Sequence, residues 1–92
     1  MTALLWPNKD PDEILDFDCD WSARLGTDTI ATSAWSVVSG TVVIGTIGNT
    51  TTVTKVWLSG GATGATNSLL NRITTAGGRT MDQTINVKIR VK

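Results

Sequence analysis

The chain has 92 residues, 40% hydrophobic and 17% charged, with eight basic side chains balancing eight acidic ones. That length makes one domain, burying roughly 60–65% of its unfolded surface, and that composition excludes a disordered chain. With no His, no Tyr and one Cys, the usual general bases, imidazole-activated nucleophiles and zinc ligand sets are missing, so no catalytic residue, cofactor or metal is expected.

Thr, Val, Ile and Trp are abundant and helix formers scarce, which predicts an all-β fold. Residues 1–13 read as an N-terminal arm: Pro7 and Pro11 interrupt regular structure, and Asn8-Lys9-Asp10-Pro11-Asp12 is turn chemistry. Its apolar cluster Leu4, Leu5 and Trp6 either packs back onto the domain or inserts into a partner. The start Met1–Pro7 is too short for a signal peptide and lacks a basic beginning, and no apolar run reaches membrane-span length. The expectation is a soluble chain made in the cytoplasm, where the sequon Asn49-Thr50-Thr51 carries no weight.

Residues 14–92 read as the folded domain. From Ile14 to Trp21, Leu15, Phe17, Cys19 and Trp21 alternate with Asp16, Asp18 and Asp20, the period of a strand with one buried and one wet face. Cys19 fits as a small buried apolar residue. The three carboxylates, about 7 Å apart along such a strand, lack the glycine and distal glutamate of a calcium loop. They are expected to be solvated or paired with basic side chains. Trp21–Gly26 allows one helical turn closed by Gly26. Strands follow over Ile30–Val38, with Trp35 and Val37 on one face, over Thr41–Ile47, and over Thr50–Ser59, where Val56 and Leu58 oppose Val53 and Trp57.

The glycine-rich run Gly60–Thr66 is not followed by the Lys and amphipathic helix of a phosphate cradle; it reads as a crossover between sheets. Leu69 and Ile73, spaced by Asn71 and closed by Thr74-Thr75, read as one arm of a hairpin with its turn at Ala76-Gly77-Gly78-Arg79. In the other arm Ile85, Val87, Ile89 and Val91 form a row expected to be buried, alternating with an outward row of Asn86, Lys88, Arg90 and Lys92. About seven short strands with turn signals between them describe an immunoglobulin-like or fibronectin type III-like β-sandwich, with Trp21, Trp35 and Trp57 in its core and Trp6 the one exposed ring.

Charge is split along the chain. Seven of the eight acidic residues lie at or before Asp28, and six of the eight basic ones lie at or after Lys55. The Lys88, Arg90 and Lys92 row is the natural complement of Asp16, Asp18 and Asp20, within one chain or between subunits. A nucleic-acid binder would not keep the acidic half. The turn Gly77, Gly78 and Arg79 is a second candidate contact after the arm.

The order Lys9-Asp10-Pro11-Asp12-Glu13, Leu15-Asp16, Asp20-Trp21-Ser22, Asp28-Thr29-Ile30, Trp35, Val56-Trp57-Leu58-Ser59-Gly60-Gly61 and Ile73-Thr74-Thr75-Ala76-Gly77-Gly78-Arg79-Thr80 resembles small phage and prophage fiber-tail adaptor proteins. The resemblance implies a non-enzymatic virion structural protein of a tailed phage, joining fibres to the tail or baseplate. It implies other virion proteins as partners and several copies in the particle, with no membrane or small-molecule substrate. A capsid decoration or neck protein is the alternative within the virion, and a carbohydrate-binding module using exposed tryptophans is the alternative outside it. The chain departs from the pattern at Asn67, where an aromatic residue is expected at the corner entering the penultimate strand.

Overall fold

A computed structural model describes residues 4–92; Met1–Ala3, the beginning of the arm, lie outside the described residues. The elements are β1 (Leu4–Leu5), β2 (Leu15–Asp20), α1 (Ser22–Leu25), β3 (Ile30–Ser39), β4 (Val42–Asn49), β5 (Val53–Gly60), β6 (Thr66–Thr75) and β7 (Thr80–Lys88). They form a sandwich of two sheets, one ordered β1-β7-β6-β3 and the other β2-β5-β4. β1 runs parallel to β7, and the other ladders are antiparallel.

Alternation decides which side chains enter the space between the sheets. β2 buries Phe17 and Cys19 and turns Asp16, Asp18 and Asp20 outward. On the central strands, Val56, Leu58, Leu69, Ile73, Ile85 and Val87 have no exposed surface, and Ile89 just beyond β7 has none either. Trp21 is also buried and sits at the entrance to the single turn α1, which Gly26 closes with φ of 63°. The closing hairpin forms where the sequence places it, but β7 begins at Thr80 and ends at Lys88, and β6 begins at Thr66. Past Lys88 the chain runs between the loop before β6, where Ile89 bonds to Gly64 and Ala65, and the arm, where Lys9 bonds to the Lys88 carbonyl and the Arg90 N–H. Val91, expected in the buried row, is therefore 71% exposed.

Period 2 also carries polar residues into the core. Asn71 lies between Leu69 and Ile73 on the same face, and its environment satisfies it completely. Its Oδ1 accepts from Trp21 Nε1 at 2.9 Å and from the Thr54 hydroxyl at 2.6 Å, while Nδ2 donates to Ser33 Oγ and to the Ala34 carbonyl, each at 3.0 Å. Satisfied in this way, a buried amide bridges β2's end, β3, β5 and β6 without an orphaned group.

Asn67, where an aromatic was expected at the corner entering β6, fixes a different turn. Fully buried at the start of β6, it accepts through Oδ1 from the backbone N–H groups of Thr41 and Val42 at 2.7 and 3.2 Å, fixing the turn from β3 into β4. Gly40 makes this approach possible: its φ is 113°, and a Cβ there would overlap the Asn67 amide. Among the described residues no helix is long and apolar enough to cross a membrane.

Candidate partner-binding surfaces

The arm divides between core and surface. Leu4 and Leu5 pair with Ile85 and Asn86 of β7, and they remain 42% and 69% exposed. Trp6 turns inward. It is 7% exposed, stacks on Phe17 with ring centroids 4.7 Å apart, approaches Trp35 at 5.7 Å and donates from Nε1 to the Asp18 carbonyl at 3.0 Å. The expectation that Trp6 is the exposed ring is thus corrected: a large ring beside an edge strand finds more apolar contact under the sheet than outside it.

Lys9 fastens the arm a second time. Its side chain is enclosed, with Nζ donating to the Gly60 and Asp10 carbonyls at 2.7 and 2.9 Å. Burial lowers its pKa, and nearby Glu13 and Asp10 oppose that shift. The turn after Lys9 then captures the end of the chain. Glu13 pairs with Lys92 Nζ at 2.8 Å, and Asp10 accepts from the Lys92 backbone N–H at 2.8 Å. The hydrogen bond from Lys92 is the main reason the Glu13 carboxyl lies below its ordinary pKa.

The acidic and basic rows do not meet within one chain. β2 and β7 belong to different sheets, so Asp16, Asp18 and Asp20 face outward on one side of the sandwich and Lys88 faces outward on the other. Lys55, on the neighbouring strand, is the local counterion of Asp16 and Asp18 at 3.4 and 3.9 Å. Asp20 instead accepts from the Ser22 backbone N–H at 2.9 Å, which lowers its pKa and starts α1. Lys92 is taken by Glu13; among the described residues Lys88 and Arg90 have no ion-pair partner.

The hairpin tip is tied down. Asp28 accepts from the Gly77 backbone N–H at 3.0 Å and pairs with Arg79 Nε at 3.1 Å, and Arg79 also donates to the Leu25 carbonyl at 2.8 Å. Hydrogen bonds from the Thr75 hydroxyl and the Thr29 backbone, joined by those from Gly77 and Arg79, hold the Asp28 carboxyl down at about 2. Gly78 stays exposed at the open end of the turn.

Two features escaped the sequence reading. Trp57, expected in the core, is 39% exposed on the outer face of the three-stranded sheet, beside Asp16 and against the bare backbone of Gly45. On the same face a shallow cavity of about 400 Å³ is lined by Asp18, Gly48, Asn49, Thr50, Val53 and Lys55. The signal for Trp57 was its phase: Val56 and Leu58 take the inward positions, and a residue between them must face out. Cys19 is buried, and burial pushes its thiol up to about 11. Among the described residues no group of three or more His, Cys, Asp or Glu is placed to hold a metal ion.

The all-β body presents exposed apolar side chains and segregated charge on its surface, which suits a structural interaction module. Comparison with known families agrees: the model described as podophage GP4 fiber-tail adaptor protein gp77 matches residues 9–88. The chain belongs to this family, which gives it a structural role in the virion and a place in the phage tail. No curated protein matches it.

Proposed function

We propose that the chain is a non-enzymatic adaptor that joins fibres to the tail by contacts with several virion proteins at once, in multiple copies. The observation that carries this reading is the divided arm. Trp6 and Lys9 lock residues 6–9 to the sandwich, while Leu4 and Leu5 stay exposed at the edge of the four-stranded sheet. An apolar pair held rigidly in place loses little conformational freedom when a neighbour covers it. The arm (1–13) is then the contact and the sandwich (14–92) the spacer, with overall extents of 41 × 25 × 18 Å. The split of β2, β5 and β4 from β3, β6 and β7 supports the immunoglobulin-like reading of that spacer.

The charged rows serve the same role between neighbours. Because they point away from each other, Asp16, Asp18 and Asp20 on one side and Lys88 and Arg90 on the other are open to complementary surfaces, and Gly78 at the hairpin tip adds a third contact. Such exposed pairs orient partners more than they hold them.

The test is Leu4→Ser/Leu5→Ser in the full chain, followed by recovery of phage particles. The variant keeps its unfolding midpoint, because exposed sites change stability by only about 0.5 kcal/mol, and is missing from purified particles. Normal incorporation overturns the arm contact. A particle map that places the protein on the head overturns the fibre–tail role.

A further inference from the structure

From Thr29 to Thr54 the sequence holds no Asp, Glu, Lys, Arg or Pro. This stretch builds β3 and β4, each the outer strand of its sheet. Edge strands are ordinarily protected by charge or proline, because their free N–H and C=O groups template further pairing. β4 has neither, and among the described residues Val43–Asn49 make no backbone hydrogen bond outside the ladder with β5. Its one irregularity is the register shift between Ile44 and Ile47, which leaves a short regular stretch on each side.

Apolar side chains flank that edge on both faces. Val43, opposite Ser59, is 58% exposed on the outer face, with Trp57 behind it on β5. Ile47, opposite the buried Val56, is 45% exposed on the inner side. A partner lying on the outer face would cover Val43 and leave Ile47 in water, whereas a strand added at the edge covers both.

We propose that this occupant is a second copy of the chain, its β4 pairing antiparallel with the first across a two-fold axis to give one continuous sheet β2-β5-β4-β4-β5-β2. The absence of charge selects it. Two-fold pairing sets each strand against itself, so a charged residue near the axis would face its own copy, and like charges directly opposite are destabilising. A different protein would meet no such restriction and would gain selectivity from charge. The inference does not depend on the virion role.

Sedimentation velocity of the purified full chain tests it, with Val43→Lys and Thr46→Lys as variants at exposed positions. The parent chain is expected to sediment as a dimer, and each lysine to return it to monomer with an unchanged circular dichroism spectrum. A parent that stays monomeric at the highest soluble concentration overturns the proposal, as does a dimer that both lysines leave intact. If the variants fail to fold, hydrogen exchange of the parent decides: slower exchange over Val43–Asn49 at dimer-forming than at dilute concentration supports the pairing, and unchanged exchange there overturns it.

Discussion

Replacing Asn71 by Leu probes a polar junction in the core at nearly constant volume. The change removes the acceptor of Trp21 Nε1 and of the Thr54 hydroxyl, and the donors to Ser33 and Ala34. Trp21 is 1% exposed and cannot turn to water; its remaining acceptor is Thr54 Oγ1 at 3.2 Å, and the Thr54 hydroxyl keeps only the Cys19 carbonyl at 3.5 Å. A buried group left without a partner costs about 1–3 kcal/mol. One weakened donor and one nearly orphaned hydroxyl, partly offset by the added apolar contacts, give roughly 2–4 kcal/mol, a large share of the roughly 5–15 kcal/mol that holds a domain together. In a domain this size that lowers the melting temperature by roughly 10–25 °C. Urea unfolding followed by tryptophan fluorescence reads it as a lower midpoint at unchanged slope. Adding Thr54→Val should cost more in this background than in the parent, because it removes the last acceptor of Trp21 Nε1, which Asn71 no longer supplies. A single variant as stable as the parent would refute the claim that the network matters, and a double variant at the sum of two separate losses would refute the coupling.

Three further outcomes follow from the geometry. Trp6→Ala should cost about 3–5 kcal/mol, as large aromatic truncations in cores do; a urea midpoint equal to the parent's would show that the ring is not part of the core. Asp28 has a carboxyl lowered to about 2, against roughly 3.9 in an unfolded chain. Its contribution is therefore complete above about pH 4 and is lost as the pH falls toward 2. In Asp28→Asn the melting temperature should fall less steeply over that window than in the parent, and parallel curves would contradict the assignment. Cys19, pushed up to about 11 and nearly without exposure, should react with a thiol reagent at neutral pH only after denaturant is added.

Strand alternation carried most of the fold. Leu15–Asp20 and Ile85–Lys88 could be assigned face by face from their residues, and α1 from its closing glycine. What alternation does not convey is which sheet a face belongs to. The aspartate and lysine rows each point outward as read, yet they end on opposite sides of the sandwich, because β2 follows β5 into one sheet and β7 follows β6 into the other. Polarity also misled where geometry ruled. Asn67 and Asn71 share phase with Leu69 and Ile73 and are buried with them, and Trp57 is carried outward by its buried neighbours Val56 and Leu58. The arm was least legible, since the position of Trp6 depends on a parallel pairing with a strand some eighty residues away in sequence.

That pairing bears on how the molecule is made. The first described strand lies against the last, Lys9 and Ile89 form a bridge, and Lys92 is held by Asp10 and Glu13. On a ribosome the arm therefore emerges ahead of the strand it pairs with and has no surface to occupy, and Trp6 and Phe17 must wait until β7 has been synthesised. Pairing between such distant segments is slow and leaves apolar surface open meanwhile. A chain interrupted before Thr80 would lack the strand that closes the core, leaving the same apolar residues open to chaperones and proteases.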